Sequence, residues 1–215
     1  MGTGQTVLCL DAHPTRRTRP IHMSSRPNLT REDWIHAAQR VLVKGGVDAV
    51  RVDTLAKELA ITRGSFYYHF KSRGELLEGI LGNWRARATE DVIHHLRNAQ
   101  SSPQEQLQRL LELPHHGQTA REAAAIELGI RAWARRDKQA RQAIDEVDSH
   151  RLSYIEGLLI QAGVSADEAK DRAYLIYSYQ LSLSLIHTET RPEELKKRSA
   201  RMARLLVPDQ EMATA

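Results

Sequence analysis

Hydrophobic residues recur at intervals of three and four along almost the whole chain, and residues that start or stop helices bracket each run. Ile35, Ala38, Val41 and Leu42 follow the capping-box pair Thr30 and Asp33, and Gly45 with Gly46 ends that run. Asp53 or Thr54 opens a second, short element that turns Leu55, Ala56 and Leu59 inward and ends near Ala60 and Ile61. Thr62 caps a third over Arg63 to Phe70, and Ser72 with Glu75 opens a fourth. Leu76, Leu77, Ile80, Leu81 and Trp84 carry that fourth helix to about Leu96. The pattern restarts after "SSPQ" with Leu107, Leu110 and Leu111 and breaks at "LPHHGQ". It resumes from Ala120 to about Arg136, and again from about Lys138 to Ala162, where Gly163 stops it. Ser165 with Glu168 opens Ala166 to His187; Thr190 with Glu193, and Pro192 in the first turn, opens a last helix to about Val207. No alternating Val/Ile/Thr run is long enough to demand a sheet. The spacing predicts an all-α chain of about nine helices, three short ones and a long one followed by a larger helical body, without a repeat of fixed period.

Composition narrows the classes. A hydrophobic share of 41% over 215 residues supports a packed core and argues against disorder. No run of about 18 or more apolar residues exists to span a membrane. "VLCL" at 7–10 precedes the arginines at 16, 17 and 19, the reverse of a secretory leader. A single cysteine, Cys9, excludes an intramolecular disulfide and a Cys-cluster metal site, so a cytoplasmic location is expected. The net charge of +4 is unevenly spread: residues 1–90 hold 14 Lys/Arg against 9 Asp/Glu, and the remainder 17 against 18. A basic N-terminal part suits a nucleic-acid partner on that side. Residues 1–28, rich in Gly, Thr, Pro and Arg and ending in "SSRPN", read as a flexible arm, and 209–215 as a tail.

The chemistry is densest in "ITRGSFYYHFKSRGELL" (61–77). On a helical wheel Phe66 and Phe70 stack at i and i+4 on one face, while Gly64, Ser65, Tyr68 and Lys71 cluster opposite, flanked by Tyr67 and His69. A helix this short, reached through a tight turn from another short helix, has the geometry of a helix-turn-helix unit, whose second helix enters the major groove. Arg63 offers a fork to guanine or phosphate, Gly64 and Ser65 permit close backbone approach, and Tyr67, Tyr68 and His69 can donate to phosphate oxygens. Lys71 and the N–H groups at the start of the fourth helix add a phosphate site.

The segment Thr30 to Trp84 resembles the N-terminal domain of TetR-family transcriptional regulators. The likeness is carried by "AAQRVLVKGG", "LAKELAI" and "TRGSFYYHFKSRGELL" at matching spacings over about 55 residues. The resemblance implies a recognition helix over Arg63 to Phe70, with Thr62, Arg63, Gly64, Ser65, Tyr67, Tyr68, His69 and Lys71 facing DNA. It also implies a DNA-binding domain at 29–83 joined to a helical ligand-binding and dimerisation domain at 84–208. At the start of the second helix, where many members have Thr or Arg able to touch DNA, this chain has Asp53, which either caps the helix or points at the duplex. A basic arm of Arg16, Arg17, Arg19, Arg26 and Arg31 could assist binding.

In the second half, Tyr174, Tyr177, Ser178, Leu181, Leu185, Leu195, Met202 and Leu205 form an apolar and small-residue stripe wider than one surface helix needs. Paired with its symmetry mate, it would build a four-helix bundle through the last two long helices. That homodimer would set two recognition helices about 34–36 Å apart on a near-palindromic operator. Ligand-contact candidates are Trp133, Tyr154, Tyr177 and His187, with Arg131 as an anion anchor. The pairs His94–His95 and His115–His116 diverge by about 100° on a helix and do not chelate as units, so no metal and no cofactor is expected. Phosphate-loop, nucleophile-elbow and metalloprotease motifs are absent, so the chain is not read as an enzyme. The sequence thus points to a DNA-binding regulator, most simply a repressor released from its operator by an unknown small molecule. Two alternatives stand beside it: an effector-independent architectural or activating DNA-binding protein, and a helical small-molecule carrier with a vestigial DNA domain.

Overall fold

The computed structural model describes residues 29–208 apart from 91–92, 95, 97–100, 113–116 and 187–190. The expected arm and tail, His95, His115, His116, His187 and Thr190 lie outside the described residues. Among those described there are nine α-helices and no strand. They are α1 (Arg31–Gly45), α2 (Val52–Glu58), α3 (Arg63–His69), α4 (Arg73–Arg85), α5 (Pro103–Glu112), α6 (Gly117–Ala134), α7 (Lys138–Gln161), α8 (Ala166–Leu185) and α9 (Pro192–Leu206). A 3-10 turn at Val47–Ala49 links α1 to α2, and a π-helical turn at Ala86–Glu90 follows α4.

Local chemistry sets most of these ends. Thr30 Oγ1 accepts from the Asp33 N–H at 3.2 Å, and the Asp33 carboxylate accepts from the Thr30 N–H at 2.7 Å, a complete capping box. Ser102 and Glu105 make the same pair of bonds ahead of α5. The expected box at Ser72 is offset: Ser72 Oγ accepts from Glu75 N–H, but the Glu75 carboxylate takes the Lys71 N–H at 2.7 Å. Helix α2 begins at Val52, before the expected Asp53, because the Arg51 carbonyl already accepts from Leu55 N–H at 3.0 Å. The fourth helix does not run unbroken to Leu96. It widens into the π turn, beyond which Ile93 and Leu96 are buried.

Two cores result. The first gathers Trp34, Leu55, Phe66, Phe70, Leu76 and Ile80 from α1 to α4, and includes Ile130 and Trp133 of α6 and Ile144 and Val147 of α7. Trp34 meets Phe66 edge-on at 5.3 Å, and Phe66 stacks on Phe70 at 5.4 Å. The second joins Leu107 and Leu111 of α5, Ile155 and Leu159 of α7, Ile176 of α8 and Ala203 of α9. The first core therefore crosses the expected boundary at 83/84. A polar bond reinforces the crossing, Arg136 to Asp48 at 2.8 Å, and Arg85 at the end of α4 pairs with Glu146 of α7 at 2.6 Å. Helices α1 and α6 approach closely at Gly129, where an added Cβ would sit 3.2 Å from Leu42 Cγ.

Candidate nucleic-acid interface and adjoining cavity

Helices α2 and α3 are joined by a turn over 59–62, in which Ala60 adopts φ +53. This left-handed residue lets the Ile61 N–H reach the Ala56 carbonyl at 3.0 Å and redirects the chain into α3. Phe66 and Phe70 then anchor α3 by its inner face, at 0% and 1% exposure. Its outer face carries Thr62, Arg63, Gly64, Tyr67, Tyr68 and, just beyond, Lys71, all exposed, with Ser65 and His69 half-buried beside them. Tyr68 is 87% exposed and stands edge-on to the His69 ring at 5.0 Å. A large aromatic held that far into water on a helix two turns long is poorly explained by the fold.

Asp53 neither caps α2 nor points freely outward. Its Oδ1 pairs with Arg63 Nε at 3.0 Å, an exposed contact between α2 and the first residue of α3. The start of α4 differs from expectation, since the Glu75 carboxylate occupies the Lys71 N–H and stands 3.9 Å from Arg31, whose guanidinium lies 4.7 Å from the centre of the Phe70 ring. The Lys71 N–H is therefore taken, while the Lys71 side chain stands exposed. Arg73 sits inside the motif, yet nothing in its spacing singles it out. Its guanidinium donates at 2.6 Å to both the Val47 and Val50 carbonyls, closing the 3-10 turn against α4. Arg73 is thus a structural lock within the motif.

Between the π turn and helices α5 to α8 lies a cavity of about 430 Å³. Ile93, Leu110, Ala124, Ile155 and Leu181 give it apolar walls, and Arg87, Thr89, Gln180 and Ser184 add polar groups. The sequence-derived candidates divide around it. Tyr154 and Tyr177 line it, with Tyr154 donating to Gln106 Oε1 at 2.7 Å. Arg131 sits behind the wall, and Trp133 is buried in the first core among α1, α4 and α7. Arg131 is held by Glu127, Asp148 and the Tyr177 hydroxyl, and Arg151 by Glu127 and the same hydroxyl, which donates to Asp148 at 2.6 Å. Two guanidiniums and two carboxylates balance, so this closed cluster is electrically neutral. Burial pushes the Tyr177 hydroxyl up to about 12, with Glu127 and the bond to Asp148 adding to it. Burial opposes ionisation of Asp148, but hydrogen bonds from Arg131 and Tyr177 and the two nearby guanidiniums outweigh it and hold its carboxyl below the usual range. The cavity's sequence trace is the small face Ala120, Ala123, Ala124 and Glu127 at i, i+3, i+4 and i+7 of α6, which leaves space where larger residues would pack.

Among the described residues no group of three or more His, Cys, Asp or Glu could hold a metal ion, and no helix is long and apolar enough to cross a membrane.

Residues 35–80 match the family described as bacterial regulatory proteins, tetR family. The HTH-type transcriptional regulator SrpR of Pseudomonas putida is 37% identical over 54 residues, 25% of each chain. TtgR of Pseudomonas putida, also an HTH-type transcriptional regulator, is 34% identical over 76 residues, 35% of this chain and 34% of that one. These alignments therefore span only a quarter to a third of those relatives. The whole fold is shared more widely: a transcriptional regulator from Rhodococcus sp. Rha1 superimposes with a TM-score of 0.67 at 17% identity, over 83% of this chain and 96% of that one. The regulator FadR from Bacillus subtilis, in complex with stearoyl-CoA, gives 0.61 at 18% identity over 83% and 98%.

Proposed function

We propose that the chain, whose residues 35–80 match the family of bacterial regulatory proteins of the tetR type, is a dimeric, sequence-specific DNA-binding repressor released from its operator by a small molecule. The observation that carries this reading is the outer face of α3. Phe66 and Phe70 fix the helix from within, and every outward residue has a role available against a duplex. Arg63 and Tyr68 are placed for base or phosphate contact, Gly64 and Ser65 for close approach, and Thr62, Tyr67, His69 and Lys71 for the backbone. The reader occupies 29–83 and the effector and dimer body 84–208, with the shared core holding one against the other.

Helices α8 and α9 supply the dimer face. Tyr174, Leu175 and Leu185 of α8 and Leu205 of α9 are each more than half exposed, which suits a second copy packing into a four-helix bundle. The cavity is read as the effector site because it is mostly apolar, of ligand size and bordered by the helix that leaves the reader. The acyl ligand held by FadR in the same fold supports that reading. An effector acts only through a difference in affinity between the DNA-competent and released arrangements.

The test is selection of duplexes from a random pool by the purified protein, followed by the salt dependence of the enriched site. An inverted repeat whose affinity falls steeply with salt is the expected result. Absence of any enriched sequence would overturn the reader assignment and leave the carrier reading in its place.

A further inference from the structure

The π turn at Ala86–Glu90 places two side chains, Arg87 and Thr89, at the cavity. Thr89 is 3% exposed, lines the cavity, and its hydroxyl is buried without a hydrogen-bond partner among the described residues. A buried hydroxyl left unpaired is costly, so it points to a polar group that arrives with a ligand. Arg87 lines the same cavity and also an adjoining cleft of about 360 Å³ between α1, α4 and α6. Among the described residues its polar contact is His36 of α1, Nη1 to Nε2 at 3.2 Å. A guanidinium can only donate, so that ring nitrogen accepts. Among the described residues the other charged groups on the cavity wall, Glu127 and Arg151, pair with each other at 3.0 Å. Among the described wall residues Arg87 therefore carries the charge left over.

We propose that the effector is an anionic amphiphile, an apolar body ending in one negative group such as a carboxylate, and that Arg87 exchanges His36 for that group when the effector binds. The proposal rests on reading the cavity as the effector site. Thr89, on the same cavity wall, offers its unpaired hydroxyl to a polar group of the same ligand. Once Arg87 turns to the cavity, α1 loses a bond to the segment that follows α4, and the reader is released from the arrangement that His36 helps to hold. By reciprocity, whatever weakens the Arg87–His36 contact favours the effector.

Calorimetric titration of the DNA-free protein with decanoate, decanol and decyltrimethylammonium tests this independently of any operator. Decanoate is expected to bind about tenfold more tightly than either of the others, and Arg87→Gln to abolish that preference. In His36→Ala, decanoate should bind about fivefold more tightly than in the parent, because Arg87 no longer leaves an acceptor. Equal binding of the three probes, no binding of any, or a preference that survives Arg87→Gln overturns the assigned charge. An unchanged decanoate affinity in His36→Ala overturns the exchange. On a selected operator, decanoate should weaken DNA binding in the parent about tenfold and in His36→Ala about twofold or less. Failure to find an operator would count against the DNA reader while the titrations still decide the effector class.

Discussion

A methyl group added at Gly64 would meet nothing nearer than Thr62 Oγ1 at 3.8 Å, and the glycine's backbone is not left-handed. The fold therefore gives no reason for a glycine on this exposed turn of α3, whereas close approach of a duplex does. Gly64→Ala is expected to leave thermal stability unchanged or raise it by up to about 1 kcal/mol, while weakening operator binding about tenfold. Melting and a binding titration on one preparation check both halves. Ala60 is the opposite case, an L residue held at φ +53 where glycine would be at ease. Ala60→Gly should stabilise the protein by about 1 kcal/mol in denaturant unfolding, and a loss of stability would show that the turn is not strained.

The element with the sharpest pH signature is the α6–α7–α8 junction, where Arg131, Arg151, Glu127, Asp148 and Tyr177 close on one another. The Asp148 carboxyl is held below its usual range, so the stability it contributes is complete above the usual carboxylate pKa. It is lost as the pH falls below that value toward its lower folded pKa. Tyr177, raised to about 12, contributes below its ordinary value of 10.0 and loses that contribution as the pH climbs toward 12. Denaturant midpoints should therefore drop at both extremes. Asp148→Asn, which keeps the shape but removes the charge, should flatten the acid limb, and an unaltered acid limb would show that another carboxylate governs it. This junction also shows what can be read from sequence. Thr30 with Asp33, and Phe66 with Phe70, are local pairs whose spacing on a single helix announces them, and the structure has both. Arg131 and Asp148 lie 17 positions apart on different helices, so no periodicity links them. Arg131 therefore looks like an anion anchor in the sequence, when a neighbouring helix already supplies its anion. The π turn is illegible for a related reason. Its residues keep a helical hydrophobic pattern, and the extra residue per turn is imposed by packing that only the tertiary structure defines.

For the whole molecule, the proposed dimer places Leu175 and Leu205 at a subunit interface, where both now stand exposed at 53% and 70%. The double substitution Leu175→Lys and Leu205→Lys is expected to give monomers in sedimentation without loss of helicity. Operator affinity should fall by about two orders of magnitude or more, since each half-site would then be bound alone. Retention of the dimer would place the interface elsewhere. The continuous first core has a further consequence. Ile130, Trp133, Ile144 and Val147 complete the burial of residues in the proposed DNA-reading unit, so a fragment cut after residue 83 would expose the faces those four side chains cover. Such a fragment should be prone to aggregation. A chimera that grafts this reader onto another helical body would work only if the graft brought the matching faces of α6 and α7 with it, which makes the reader a poor interchangeable part despite its recognisable boundary in the sequence.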